Sequence, residues 1–217
     1  MSELDAVFKA YDIRGTVPDQ LDAELCRRVG AAFARFTKAT TIIVGRDMRP
    51  SGVELSQAFI AGATGTGADV INIGLASTDL LYYAAGALDA PGAMFTASHN
   101  PAQYNGIKLC LAGARPVGQE SGLADIKADA ADPPVDGDQP IGRVTDRSLI
   151  EDYARHVRTF LGDTTGQRPL RIVADTANGM GGLVVPRVFE GLPFELEILF
   201  GELDGTFPNH PADPIQP

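Results

Sequence analysis

The 217-residue sequence contains few of the residues that build disulfide scaffolds and metal clusters. It has two cysteines, three histidines and no tryptophan. Cys26 falls in a helical pattern and Cys110 in a strand pattern, and neither lies at a metal-ligand spacing from other ligand residues. Two isolated cysteines do not make a disulfide framework, so we expect both to be reduced residues of the core.

Positive charge and long apolar runs are also scarce. The chain has 18 lysines and arginines against 28 acidic residues, which gives a formal net charge of −10. This balance argues against nonspecific nucleic-acid binding and against attraction to anionic membranes. No run approaches the roughly 18 apolar residues of a membrane span, and the first five residues lack the features of a leader peptide. The sequence therefore predicts a cytoplasmic protein with neither a nucleic-acid nor a membrane partner.

What the sequence does contain is an alternation of helix and strand patterns, with 44% hydrophobic residues to fill a core. Helical patterns cover residues 21–38, 51–66, 77–85, 148–161 and 180–189, and strand patterns cover 40–44, 69–73, 93–96, 170–174 and 194–200. The alternation predicts an α/β fold of three layers, α/β/α, with a mixed, largely parallel sheet. In such sheets ligands bind beyond the carboxyl ends of the strands.

Helix starts are marked by capping patterns. Ser51 with Glu54 and Ser148 with Glu151 each match a capping box, in which a serine and a glutamate three residues later satisfy free backbone N–H groups. Ser77 or Thr78 is expected to cap the third helix.

Turn-forming and helix-breaking residues are dense between 132 and 140, and this region predicts a domain boundary. We expect a first domain over residues 1–143 and an incomplete second α/β domain over residues 144–217. The carboxylates Asp136 and Asp138 resemble the start of a metal loop but lack a third carboxylate, so a solvated linker is favoured. The glycines at 179–182 open a helix, but Val184 stands where a dinucleotide site needs a small residue, so no nucleotide is expected.

The sequence at 96–101 (TASHNP) places a hydroxyl nucleophile beside an imidazole where a strand ends. Pro101 cannot continue the sheet, so Ser98 is expected on an exposed turn next to His99. Asn105 and Gly106 form a dipeptide typical of tight turns, which would fold the chain back and carry Lys108 toward Ser98.

From these residues alone, three roles for Ser98 stay open. A hydrolase nucleophile would need an oriented base and is usually flanked by elbow glycines, which are missing here. A phosphoryl carrier would need nearby cations. A capping serine is the structural alternative.

An anionic ligand would require a local basic cluster, for which the candidates are Arg14, Arg46, Arg49 and Lys108. For Arg14, which follows Tyr11 and Asp12, an internal salt bridge and an anion site are equally favoured. For Arg46 and Arg49, pairing with Asp47 is favoured over ligand contact. His156 and His210 are interpreted as surface or structural histidines.

Four segments, in order, closely resemble the α-D-phosphohexomutase family. They are residues 8–15 (FKAYDIRG), 45–47 (GRD), 96–101 (TASHNP) with 104–108 (YNGIK), and 204–210 (DGTFPNH). The resemblance covers essentially the whole chain, and the serine loop is highly specific in the company of the other three segments.

The resemblance implies an isomerase that moves a phosphoryl group between the 1- and 6-positions of a glucose or mannose phosphate. Ser98 corresponds to the family's phosphoserine, and hexose 1,6-bisphosphate is the intermediate and activator. The Ser98 phosphate would be one ligand of Mg²⁺. The resemblance assigns catalytic roles to Ser98, His99, Lys108 and Arg14, substrate binding to Tyr11, Arg14 and Lys108, and loop shaping to Thr96, Asn100 and Gly106.

The chain also departs from the family pattern. Members have four domains, whereas this sequence resembles the first domain and the opening half of the second, and it lacks the metal-carboxylate and sugar-selecting loops. We therefore expect a mutase fragment with no substantial mutase activity by itself, whose sugar preference the sequence does not reveal. The alternative is a noncatalytic module that binds a phosphorylated ligand or a partner. Incomplete closure of the second domain favours self-association through exposed apolar surface.

Overall fold

The computed structural model describes residues 3–134, 139–162, 168, 170–213 and 215. The carboxylates Asp136 and Asp138 lie outside the described residues. The helices are α1 (Glu3–Val7), α2 (Ala23–Thr37), α3 (Gly52–Gly65), α4 (Thr78–Ala87), α5 (Leu123–Ala131), α6 (Ile150–Thr159) and α7 (Gly181–Phe189). The strands are β1 (Ile13–Thr16), β2 (Thr41–Arg46), β3 (Asp69–Leu75), β4 (Gly92–Phe95), β5 (Tyr104–Leu111), β6 (Arg115–Pro116), β7 (Val144–Asp146), β8 (Leu170–Asp175) and β9 (Phe194–Leu199). Two short 3₁₀ turns span Ala112–Ala114 and Gln119–Ser121.

In the part of the chain that the structure describes, seven strands form one mixed sheet in the order β1-β5-β4-β2-β3-β7, with β6 paired to β5. The pairs β4-β2, β2-β3 and β3-β7 are parallel, and β5 runs antiparallel to β1, β4 and β6. A hydrophobic core lies on each face of the sheet. One core takes residues from α2, α3 and α5, and the other from α4 and the start of α6. The predicted α/β fold with a mixed, largely parallel sheet between helical layers is confirmed.

Helices α2 and α3 pack through two glycines that let their backbones approach. A Cβ on Gly30 would lie 2.1 Å from the carbonyl oxygen of Phe59, and one on Gly62 would lie 1.9 Å from that of Arg27. Both distances are shorter than any contact a Cβ can make. Phe59 also packs its ring edge-on against Phe95 of β4, with the ring centroids 5.6 Å apart. The helix pair is thereby fixed on the sheet beside the end of β4.

Residues 170–213, the second unit, carry a separate two-stranded sheet in which β8 and β9 are parallel. Some apolar side chains stay exposed in and beside it, including Val173 in β8 and Phe160 after α6. Strand β7 extends the first sheet and α6 contacts both α4 and α7, so this segment joins the two parts. The predicted domain boundary at residues 143 and 144 stays a prediction, as does self-association.

The expected turn at Asn105 and Gly106 is wrong, because both residues lie inside strand β5. The chain reverses earlier, where the Tyr104 N–H donates to the carbonyl of Pro101 at 3.0 Å. Gly106 is required by crowding: a Cβ there would lie 2.4 Å from the carbonyl oxygen of Ile13 in the neighbouring strand. Gly106 also lies against the serine turn, because its carbonyl accepts from the Thr96 N–H at 3.0 Å and a Cβ on it would lie 2.9 Å from the Thr96 carbonyl oxygen. Its loop-shaping role stays a prediction.

Two of the three helix-cap predictions are wrong. Ser51 has helical dihedral angles, and its hydroxyl accepts a hydrogen bond from the Asn105 side chain at 2.9 Å instead of capping α3. Helix α6 begins after Leu149, and its start has no side-chain cap from Ser148. Ser77 does cap α4, because its hydroxyl accepts from the Leu80 N–H at 3.2 Å.

Among the described residues, no helix is both long enough and apolar enough to cross a membrane.

The glycine contact between α2 and α3 can be tested by adding one methyl group. Gly62→Ala should lower the free energy of unfolding by about 1–3 kcal/mol, because the helices must move apart. Gly65→Ala in the same helix is the matched control, since its Cβ would meet nothing within 4 Å. The control should be neutral or stabilising by up to ~1 kcal/mol. Denaturant unfolding measures both, and equal effects of the two substitutions would contradict the assigned contact.

Candidate active site

The Ser98 turn begins directly after β4, at the carboxyl end of a strand whose neighbour β2 is parallel to it. The Ser98 N–H donates to the Thr96 hydroxyl at 3.0 Å, and the Asn100 side-chain amide donates to the carbonyl of Ala97 at 2.7 Å. Ser98 adopts a left-handed backbone conformation, with φ of 54°. Such a conformation costs free energy for a residue with a Cβ, so surrounding contacts must hold it. The turn leaves the Ser98 side chain exposed, as expected from the sequence.

His99 is the titratable side chain beside the serine. Its Nδ1 lies 3.4 Å from Ser98 Oγ, and both residues are exposed. Within the described part of the chain, no carboxylate is hydrogen-bonded to His99. The pair therefore lacks the orienting acid that a hydrolytic serine uses, and the hydrolase alternative loses support.

The turn is held from inside by Arg49, which is fully buried at 0% exposure. Its guanidinium donates hydrogen bonds to four backbone carbonyls of the turn. These acceptors are Ser98 at 2.9 Å, Asn100 at 2.6 Å, Pro101 at 2.8 Å and Tyr104 at 2.9 Å. Five N–H donors in a rigid planar fork suit arginine to this task. Arg49 is thus engaged internally by the turn carbonyls and by Asp47, and internal pairing was the favoured interpretation of its sequence context.

Asp47 completes the buried pair beneath the turn. Its carboxylate accepts from the Arg49 N–H at 3.0 Å and lies 3.3 Å from the Arg49 Nε. Burial raises the pKa of the Asp47 carboxyl, while hydrogen bonds from Thr96 and the Arg49 backbone oppose the rise. Burial likewise lowers the pKa of Arg49, and the charge of Asp47 opposes that change. Asp47 and Thr96 therefore link the end of β2 to the turn after β4.

A second charged group forms around Asp12, a buried carboxylate just before β1. Lys108 Nζ lies 3.1 Å from Asp12 Oδ2, and the Arg14 guanidinium pairs with the same oxygen. The antiparallel ladder explains the contact, because Ile13 lies opposite Ile107 and so places Asp12 beside Lys108. Lys108 and Arg14 keep about a quarter of their side-chain surface exposed. Both cations therefore pair with Asp12 and remain partly accessible to solvent.

The sequence predicted that Ser98, His99 and Lys108 converge, and the hydrogen bonds of the structure place them in two groups. Ser98 and His99 are one group, while Lys108 and Arg14 meet at Asp12 with no hydrogen bond to Ser98 in the described residues. Tyr11 is 81% exposed and is the outermost side chain of the second group. Asp12 itself was missed as an organising residue, although its place between Tyr11 and Arg14 was a usable signal.

The second unit closes one side of the site. A cavity of about 210 Å³ is lined by Ser98, Thr96 and Asp47 from the first sheet and by Thr176, Met180 and Phe207 from the second unit, among others. A wider cleft of about 750 Å³ lies next to it, between residues 99–103 and 206–213. Both histidines of the resembling segments, His99 and His210, line this cleft. The four segments that carried the family resemblance are thus neighbours in the fold.

His210 ties the end of the second unit to β8. Its Nε2 lies 3.1 Å from Asp175 Oδ1, and its Nδ1 lies 2.9 Å from the Pro211 carbonyl oxygen. The Pro211 carbonyl, followed by Asp175, raises the pKa of His210 above its ordinary value of 6.5. The pKa of Asp175 is lowered first by the Ala177 N–H and then by His210.

The shared carboxylate of Asp12 should matter for stability because two cations depend on it. Asp12→Asn keeps the shape but removes the charge, and we expect a loss of about 1–3 kcal/mol in the free energy of unfolding. Asp152→Asn removes an exposed ion pair with Arg155 and should cost less than about 1 kcal/mol. Denaturant unfolding of both variants measures these changes. If Asp12→Asn has the same free energy of unfolding as the wild type, the stabilising role of Asp12 is refuted.

The His210 contact predicts a pH dependence whose sign follows from its raised pKa. Protonated His210 stabilises the fold fully below its ordinary pKa of 6.5, and this contribution is lost as pH rises through the raised value. The contribution of Asp175 is lost only at acidic pH, below 3.8. Wild type should therefore exceed His210→Gln in unfolding temperature at about pH 6 and approach it at about pH 8.5. A difference independent of pH would contradict this assignment.

Comparisons with known proteins agree with the geometry. The sequence model of the family described as phosphoglucomutase/phosphomannomutase, alpha/beta/alpha domain I, matches residues 5–132. A phosphohexose mutase of Xanthomonas campestris pv. campestris is 38% identical over 211 residues, covering 97% of this chain and 47% of its own length. A phosphomannomutase of Salmonella montevideo is 35% identical, covering 97% of this chain and 48% of its own length.

A solved structure of a phosphoglucomutase/phosphomannomutase family protein from Burkholderia thailandensis superposes with a TM-score of 0.86 at 33% identity. The match covers 100% of this chain and 48% of that protein. The chain thus spans about half the length of the curated relatives it matches. From its sequence, its sheet and the surroundings of its serine turn, the chain belongs to the phosphoglucomutase/phosphomannomutase family.

Proposed function

We propose that Ser98 carries a phosphoryl group in the reversible interconversion of hexose 1- and 6-phosphates. The observation that carries the proposal is an exposed serine hydroxyl on a left-handed turn that a fully buried arginine holds by four hydrogen bonds. Phosphoryl transfer depends mainly on positioning and on cations that face the moving charge. Membership of the family supports this chemistry over that of a hydrolase.

The transfer would proceed in two mirrored steps. A hydroxyl group of the hexose phosphate gives up its proton, its oxygen attacks the phosphorus of phosphorylated Ser98, and the bond between phosphorus and Oγ breaks. The sugar becomes a hexose 1,6-bisphosphate, and Oγ takes up a proton. After the sugar turns around, Ser98 Oγ loses its proton and attacks the other phosphate. The bond between that phosphorus and the sugar oxygen breaks, and the sugar oxygen takes up a proton as the isomeric hexose phosphate leaves.

His99 and the Asp12 group supply the other roles. His99 Nδ1, 3.4 Å from Oγ, can give and accept the proton that Oγ exchanges. Lys108 and Arg14 supply positive charge toward the phosphate, and Asp12 fixes their position. Tyr11 offers an exposed ring and hydroxyl to the sugar. The hexose is glucose or mannose under this proposal.

Magnesium would stabilise the charge on the transferring phosphate in this family. Over the described ranges, no cluster of three or more histidine, cysteine, aspartate or glutamate side chains could hold a metal ion. Asp47, the carboxylate beside the turn, is already engaged by Arg49 and Thr96. The described residues do not form a magnesium site, so neither transfer step is assigned to the metal. A Ser98 phosphate would add one oxygen ligand, and we propose that the remaining ligands come from residues other than the described ones.

The phosphoserine can be tested by mass. The chain incubated with glucose 1,6-bisphosphate and Mg²⁺ should gain one phosphate, which peptide mapping places on Ser98. Ser98→Ala should gain none, because the accepting oxygen is gone. Ser148→Ala removes another exposed serine and should incorporate phosphate as the wild type does. Phosphate at a different serine, or none in the wild type, would exclude the proposed carrier.

The same preparation distinguishes a partial from a complete catalyst. We propose that the chain exchanges phosphate at Ser98 but does not sustain mutase turnover, because it spans only about half the length of the mutases it matches. Conversion of mannose or glucose 1-phosphate at an ordinary enzymatic rate, about 1 to 1,000 per second, would overturn the second half of this proposal.

A further inference from the structure

The segment 204–210 of the second unit lies directly on the residues that hold the serine turn. Gly205 is buried, and a Cβ on it would lie 2.7 Å from the Cα of Arg49 and 3.0 Å from the carbonyl oxygen of Met48. Two residues later the Phe207 ring lies beneath the Arg49 guanidinium, with Cζ 5.1 Å from the ring centroid. Such a distance is within the range of a cation–π contact.

Arg49 is therefore held between two parts of the protein. Its N–H groups point to the carbonyls of residues 98–104, and the Phe207 ring lies against the guanidinium from the second unit. The same ring lines the cavity that contains Ser98 and the cleft that contains His99. One aromatic side chain thus borders both the buried arginine and the solvent-facing side of the turn.

The position of Phe207 is itself built by a chain of hydrogen bonds. Its N–H donates to the carbonyl of Asp204 at 3.1 Å, and the Asp204 N–H donates to the carbonyl of Asn178 at 2.9 Å. Asn178 is buried and donates from its side chain to the carbonyl of Glu202 at 3.0 Å. Phe207 adopts a left-handed conformation, with φ of 55°, which this support must maintain. The ring is therefore fixed to the loop after β8 and to the end of β9.

We infer that Arg49 and Phe207 are positioning residues that couple the second unit to the conformation of Ser98. The Phe207 ring packs against the Arg49 guanidinium, which donates hydrogen bonds to four backbone carbonyls of the turn. These hydrogen bonds maintain the left-handed conformation of Ser98. This inference rests on the proposed role of Ser98 as the phosphoryl carrier. Displacement of segment 204–210 would therefore loosen the turn through Arg49.

The test compares two leucine substitutions by amide hydrogen exchange in the full chain. Phe207→Leu keeps an apolar side chain but removes the aromatic face from Arg49. Phe200→Leu is the matched control, because Phe200 has the same left-handed backbone, with φ of 52°, and its ring contacts His210 instead. Phe207→Tyr keeps the aromatic face and should behave as the wild type.

The expected result is local. In Phe207→Leu the amides of Ser98 and Asn100 should exchange about tenfold faster, while the amide of Val70 in β3 stays unchanged. Phe200→Leu should leave all three rates unchanged. Arg49→Lys should accelerate the same two amides, since one ammonium cannot replace a planar fork. Because Arg49→Lys can also prevent folding, the Phe207 series decides the outcome.

Wild-type exchange at Ser98 and Asn100 in Phe207→Leu would overturn the inference, as would equal acceleration in Phe200→Leu. Phosphate uptake from glucose 1,6-bisphosphate is measured on the same variants and should slow in Phe207→Leu and recover in Phe207→Tyr. Faster exchange without any phosphate uptake in wild type would reject the phosphoserine while leaving the mechanical coupling in place. The two failures are therefore distinguishable.

Discussion

The hydrogen bonds between the buried Arg49 guanidinium and the serine turn are the interaction on which the candidate site depends. A turn exposed to solvent has few contacts of its own, and Ser98 occupies a conformation that its Cβ disfavours. Four carbonyls that converge on one cation give this turn a single defined shape. Asp47 balances the buried charge, so the arrangement avoids the cost of an unpaired ion in the interior.

The site combines this anchored turn with cations held by the sheet. Lys108 lies within β5, which is hydrogen-bonded to β1 on one side and to β4 on the other. Arg14 lies in β1, and Asp12 joins the two cations across the ladder. A protein with a net charge of −10 thus presents positive charge locally, where an anionic ligand could use it. The acidic composition of the chain is compatible with phosphate chemistry for this reason.

The sequence predicted the regular elements well where periodicity and β-branched runs were strong, as in α2, β2 and α7. It missed α5, whose nine residues are mostly alanine and charged and bury only Leu123, Ile126 and Ala130. Asn105 and Gly106 favour a turn locally, but both lie in strand β5. The backbone of Ile13 approaches Gly106 so closely that a side chain would not fit there. Ser51 does not cap α3, because its hydroxyl is hydrogen-bonded to Asn105, which is distant in the sequence. The exposed serine was predictable from its neighbours, whereas the acceptors of Arg49 were not, because backbone carbonyls leave no signature in a sequence.

The placement of Lys108 and Arg14 on paired strands has a consequence for energetics. Side chains on a flexible loop must be ordered when a charged ligand arrives, and that ordering opposes binding. Here Asp12 has already drawn both cations into fixed positions within a continuous hydrogen-bonded ladder. The electrostatic environment is therefore organised during folding, and under the proposed function little reorientation of the protein would accompany the movement of phosphate charge. The Asp12 carboxylate thus holds Lys108 and Arg14 in place before an anionic ligand binds.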